Sequence, residues 1–136
     1  MFRDIYTSDV AMLTYLDLRK RYSKELMCEP ISAMAAMHRK NTRMCYADSE
    51  LPGFWMLLLE RGCEVAICAP GHGITALHEA ITIAKKRFSA MSAWIREDNH
   101  KSISIFQLCE FVEIGQSTRK YKGEDVNGVS FARALW

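Results

Sequence analysis

The sequence predicts an α/β (α+β) layer fold, a central mixed, mostly antiparallel sheet of six to seven strands with helices on both faces, and three observations carry that expectation. Short runs of strand character alternate with segments of helical period along the chain. A strand–turn–helix joint, Glu64-Val65-Ala66-Ile67-Cys68 followed by Gly71-His72-Gly73 and a periodic helix, lies near the middle and implies a crossover to a parallel neighbour. At 136 residues the chain fits one hydrophobic core, so residues 1–136 are expected to form a single domain.

Residues 2–6 alternate enough for a short strand, and Thr7-Ser8-Asp9 offers N-cap chemistry to a helix carrying Val10, Leu13, Leu16, Leu18 and Tyr22. Arg19-Lys20-Arg21 ends it with cations that complement the helix dipole. A second helix is expected after Glu29-Pro30, since proline suits a first turn, and runs through Met34 and Met37 toward His38. Residues 43–47 and 53–59 flank the turn formers Asp48-Ser49-Glu50-Leu51-Pro52, and a tight turn at Arg61-Gly62 leads into residues 63–68, giving a three-stranded antiparallel meander. Trp55 and Met56 are adjacent and must face opposite sides of it. The helix over 74–88 carries Leu77, Ile81 and Ala84 on one stripe. Residues 89–95 read as a strand, and Asp98 or Asn99 caps the next helix, with Ile103 and Phe106 on its apolar side. Residues 111–114, a turn at Gly115-Gln116, and residues 126–135 are expected to close the sheet. Met91, Trp94, Phe106 and Phe111 read as core, while Phe131 and Trp136 are candidates to cover a sheet edge or a partner surface.

Composition narrows the function classes. No apolar run approaches the 18 or so residues that span a bilayer, and Met1-Phe2-Arg3-Asp4 leads into charge rather than a signal core, so a cytoplasmic location without membrane contact is expected. Five cysteines, an odd number without a CxxC pair, read as reduced and mostly buried thiols, and the His and Cys spacings fit no standard zinc pattern. A formal net charge of +2 is too weak to imply nucleic acid.

The joint at Gly71 and Gly73 is the best candidate for holding a phosphate, because exposed N–H groups and the dipole at a helix N-terminus favour anions. It is not a dinucleotide-binding fingerprint, since GxGxxG would need glycine at Ala76, and no Gly-Lys-Ser or Gly-Lys-Thr makes it a P-loop.

The run from Gly71 to Ala80, and the segment Asn99-His100-Lys101-Ser102-Ile103-Ser104-Ile105-Phe106-Gln107-Leu108-Cys109-Glu110-Phe111, resemble two signatures of the GCN5-related N-acetyltransferase (GNAT) family. Gly71 and Gly73 match its pyrophosphate-binding turn, and Asn99, Ser102, Ile105 and Phe111 match its late Asn-x-x-Ala-x-x-Leu-Tyr-x-x-x-Gly-Phe segment. The resemblance implies acetyl-coenzyme A in a gap between two splayed parallel strands, with Ala66, Ile67, Cys68, Gly71, His72, Gly73, Ile74, Asn99 and Phe106 as cofactor-binding residues. It implies Glu64 or Glu60 as the base that takes a proton from an amine acceptor, a small molecule or a protein. Cys68 stands where Gln or Arg is usual, Phe106 where a tyrosine often protonates the departing thiolate, and Glu110 where glycine is usual. These departures set a second expectation beside the first: a catalytically inactive protein on the same scaffold, serving protein–protein interaction or phage virion assembly. Open sheet edges would in either case admit a homo-oligomer or a protein partner.

Overall fold

The computed structural model describes residues 2–27, 43–48 and 53–136. Seven strands, β1 (Arg3–Asp4), β2 (Arg43–Asp48), β3 (Gly53–Leu58), β4 (Glu64–Cys68), β5 (Ala90–Arg96), β6 (Val112–Tyr121) and β7 (Glu124–Ala134), form one sheet in the order β1-β2-β3-β4-β5-β7-β6. Every neighbouring pair is antiparallel except β4 and β5. Among the described residues four α-helices accompany them: α1 (Asp9–Arg21), α2 (Ser23–Leu26), α3 (Gly73–Ala84) and α4 (His100–Leu108). No described helix is long and apolar enough to cross a membrane.

Two apolar layers sandwich the sheet. Alternation along β3 sends Phe54 and Met56 to the layer under α1, with Ile5, Tyr15 and Leu18, and sends Trp55 and Leu57 to the layer under α3 and α4, with Leu77, Met91, Phe106 and Phe131. The meander over 43–68 and the crossover through α3 therefore stand as the sequence predicts.

Several details differ. Ser8 caps α1 by accepting from the Ala11 N–H at 3.2 Å, but the buried stripe is Ala11, Tyr15, Leu18 and Arg19, and Val10 and Leu13 face solvent. Positions 11, 15, 18 and 19 share one face of a 3.6-residue period; 10 and 13 lie off it. Helix α2 was not expected, and the helix expected after Pro30 lies outside the described residues. Helix α3 stops at Ala84 rather than Phe88, its end bonds tightening onto Ile81, Ile83 and Ala84.

The turn expected at Gly115-Gln116 is a β-bulge: β6 continues through it, with a register shift between Glu113 and Gly115. The chain reverses instead at Lys122-Gly123, both at positive φ (51° and 78°), the left-handed pair a two-residue hairpin demands. This makes a long hairpin in which residues 117–121 stay paired with β7. Phe131, expected at an edge, is buried in the core because β7 lies between β5 and β6; Trp136 remains exposed. β6 is one edge strand of the sheet, with Val112 and Ile114 exposed on it.

Helix α4 ends in a Schellman motif. Phe111 N–H donates to the Phe106 carbonyl and Glu110 N–H to the Gln107 carbonyl, each at 3.1 Å, and the Phe106 and Phe111 rings meet edge to face at 4.9 Å, the apolar contact that accompanies this cap. Glu110 takes the left-handed position at φ 69°, which favours glycine; its carboxylate pairs with Arg133 at 3.2 Å. Glu110→Gly is expected to raise stability by about 0.5–1 kcal/mol, the relief of left-handed strain exceeding the loss of an exposed ion pair. Denaturant titration reads this directly, and a fall in midpoint would mean that the Arg133 contact outweighs the strain.

Candidate active site

The parallel pair is held by a single registered position, Glu64 opposite Ser92, after which β4 and β5 part. The Ser92 N–H donates to the Cys63 carbonyl at 2.9 Å, so the backbone groups of residue 63 face β5. Backbone groups alternate sides along a strand, so those of Ile67 also point away from β3 and into the gap, while those of Ala66 and Cys68 turn to Met56 and Phe54 of β3. Of the three β4 residues expected to bind the cofactor, Ala66, Ile67 and Cys68, Ile67 is the one whose amide is so aimed.

The gap opens into a cleft of about 1390 Å³. At one end lies the bend before α3. The His72 N–H is engaged with the Ala69 carbonyl at 2.8 Å, and the first helical bond runs from the Ala76 N–H to the His72 carbonyl at 3.0 Å. The N–H groups of Gly71, Gly73, Ile74 and Thr75 have no acceptor among the described residues, and no side chain caps the helix. Four open donors at the positive end of a dipole make a cradle for a diphosphate.

The two glycines serve different ends. Gly71 sits at φ 78° in open space, so it supplies a conformation other residues resist. Gly73 is buried, and a Cβ there would lie 2.7 Å from Ile105 Cδ1, so its small size lets α4 close against the start of α3. Asn99 caps α4, its Oδ1 accepting from the Ser102 N–H at 3.3 Å, and both line the cleft beside Ile105 and Phe106.

Strand alternation places Glu64, Ala66 and Cys68 on the α1 face. Glu64 is buried; Arg119 Nη1 from β6 donates to its Oε1 at 2.9 Å, and Arg61 Nη1 lies 3.8 Å from Oε2. The Arg119 guanidinium stands 4.6 Å from the centre of the Trp94 ring, and Trp94 Nε1 donates to Ser117 Oγ at 3.0 Å. A Cβ at Gly128 would fall inside that indole, so glycine lets it lie flat on β7. Trp94, expected in the core, is half-buried and lines the cleft. Glu60 lies exposed on the 3-10 turn Leu59–Arg61 and lines the same cleft. Every residue expected at the site is thus brought to one cleft. Arg19, Tyr22 and Arg119 also line it and were missed. Arg19 reads in sequence as a helix-end cation, and Arg119 falls in a loop when the turn is put at Gly115.

Burial pushes the Cys68 thiol up to about 12, against a smaller downward pull from Arg19. It is not a nucleophile at neutral pH, where about one side chain in a hundred thousand would be thiolate.

The same architecture recurs in solved acetyltransferases. Spermidine N-acetyltransferase from Vibrio cholerae in complex with CoA and spermine superposes with a TM-score of 0.76 at 15% identity, over 99% of this chain and 95% of that one. Ribosomal-protein-alanine N-acetyltransferase from Brucella melitensis gives 0.74 at 17%, over 99% of each chain. A ribosomal L7/L12 α-N-protein acetyltransferase in complex with coenzyme A gives 0.74 at 16%, over 98% and 93%. No protein-family model and no curated protein sequence matches the chain. The fold is that of the GNAT acetyltransferases.

Alkylation of Cys68 by iodoacetamide, followed by peptide mass mapping, is expected to accelerate about tenfold per pH unit up to about pH 12, because the thiolate fraction grows until the raised pKa is reached. A rate already level at pH 9 would contradict the buried, protonated thiol.

Proposed function

We propose that the protein is an acyl-coenzyme A-dependent N-acetyltransferase that transfers acetyl to a primary amine of a small molecule or protein. The observation that carries this reading is the parting of β4 from β5 beside four open amide donors at the start of α3. Acetyl-coenzyme A, when bound, supplies an acyl group activated as a thioester. The chain's residues fit it: the amides of Gly71, Gly73, Ile74 and Thr75 hold the diphosphate, Asn99 and Phe106 line the channel, and the Ile67 N–H is aimed where a carbonyl oxygen gains charge.

Glu64 takes the amine proton, directly or through water. Among the described residues its Oε2 has only the 3.8 Å approach of Arg61 and so keeps a lone pair for the cleft. Glu60 and Glu25 are the other carboxylates that line the cleft. Net transfer moves one proton from nitrogen to sulfur, so the reaction balances without a phenol at position 106.

Acetyl-coenzyme A and coenzyme A at 1 mM are expected to raise the melting temperature by about 3 °C or more, and dephospho-coenzyme A by less. No shift at millimolar ligand removes the reading. In a thiol-release assay on an amine panel, Glu64→Gln is expected to lower kcat by about 100-fold or more. An unchanged kcat would assign the base elsewhere, with Glu60→Gln as the next measurement.

Two observations favour a second reading, a non-catalytic protein on this scaffold acting through protein contacts such as those of a phage virion: Phe106 has no proton to give, and the exposed β6 edge is open to a partner. Coenzyme A binding without thiol release from any amine would select it.

A further inference from the structure

We propose that Arg19 holds a negatively charged group on the acceptor, so that the substrate is a small amine that also carries a carboxylate, as an α-amino acid does. This rests on the transferase reading above and specifies its acceptor.

Arg19 is only 4% exposed, in the apolar layer under α1. Its Nε donates to the Tyr15 hydroxyl at 3.2 Å and its Nη2 to the Met56 sulfur at 2.7 Å, while the guanidinium lies 5.4 Å and 5.2 Å from the centres of the Tyr15 and Phe54 rings. None of these partners is an anion. Arg21, Arg61, Arg96, Arg119 and Arg133 each meet a carboxylate; Arg19, the most buried, meets none among the described residues, and its Nη1 carries no hydrogen bond there. A guanidinium kept out of water without a counter-charge is costly, and the cleft it lines gives an anion access to it.

Position decides which anion. Arg19 rests on Phe54 and Met56, whose register partners are Cys68 and Ala66, the residues that bracket the Ile67 amide. Its charge therefore sits level with the acyl-transfer point, on the α1 face, across the sheet from the phosphate cradle at the start of α3. An acceptor with its amine toward Glu64 and its carboxylate toward Arg19 spans this side of the cleft. The charges lining the cleft agree: Arg19, Arg61, Lys101, Arg119 and Lys120 outnumber Glu25, Glu60 and Glu64, a balance that repels a polycation and attracts an acid.

The test begins with wild-type protein and coenzyme A alone, because absence of a coenzyme A melting shift removes the transferase reading and this inference with it. With coenzyme A bound, each of the L-amino acids and its carboxamide is titrated by calorimetry, spermidine serving as the cationic control. At least one acid is expected to bind about tenfold or more tightly than its amide, and to be acetylated in preference to it. Arg19→Met is expected to bring that ratio to near one while coenzyme A affinity stays within twofold, and Arg19→Lys to keep part of the preference. If coenzyme A binds but no acid is preferred to its amide, or spermidine binds better than every acid, the inference is overturned. If Arg19→Met weakens coenzyme A itself tenfold, the guanidinium serves a cofactor phosphate and the inference is again overturned. Should Arg19→Met fail to fold, the wild-type ratio and Arg19→Lys decide.

Discussion

The site depends on one constraint: β4 and β5 begin as a parallel pair at Glu64 and Ser92 and do not continue it. Two neighbouring strands normally keep their ladder because a buried, unpaired amide costs about 1–3 kcal/mol. Here each strand is committed on its other side. β4 is registered with β3 over five positions and β5 with β7 over seven, so neither can bend to follow the other without losing bonds already made. The groups left over, the Ile67 N–H among them, must meet water or a ligand. The gap is thus a product of the outer pairings, and its chemistry follows from which backbone atoms those pairings leave unclaimed.

Much of this arrangement is legible in the residues. Strand alternation over 43–68 fixes the meander, the glycines at 71 and 73 mark the bend, and Asn99 announces α4. The failures have local causes. Gly115 carries the flexibility of a turn, but the β7 residues opposite it allow an extra residue to be absorbed as a bulge; the reversal falls at Lys122-Gly123, a pair whose left-handed geometry only the hairpin reveals. That displacement hides Arg119, because its contact with Glu64 needs β6 to run on beside β7 past residue 119. Arg19 is hidden for another reason. A cation in the last turn of a helix satisfies the dipole wherever it points, so sequence position does not distinguish an exposed Arg21 from a buried Arg19.

The Glu64–Arg119 pair links the two halves of the sheet across the gap that separates them. Glu64 is largely out of water and Arg119 about one-third exposed, so the attraction is stronger than for a surface pair and smaller than for one fully enclosed. The indole of Trp94 beneath Arg119 adds a cation–π contact and, held flat over Gly128 and tied to Ser117, limits where the guanidinium can go. Glu64 is therefore positioned by a partner on β6, so the geometry of the proposed base depends on the long hairpin and not only on β4.

Phe106 is best understood through the end of α4. Its carbonyl accepts the closing bond of the Schellman motif, and its ring supplies the apolar contact to Phe111 that accompanies such a cap. An aromatic residue is wanted there for the helix to end where it does and for β6 to start toward the hairpin turn. A hydroxyl is a separate requirement, belonging only to proton handling, and the transfer of one proton from amine to sulfur can be completed between those two atoms through a carboxylate or water. In the proposed transfer, a phenylalanine at 106 therefore affects only the route of a proton and not the packing around α4, and the scaffold keeps its cleft whether or not position 106 takes part in the chemistry.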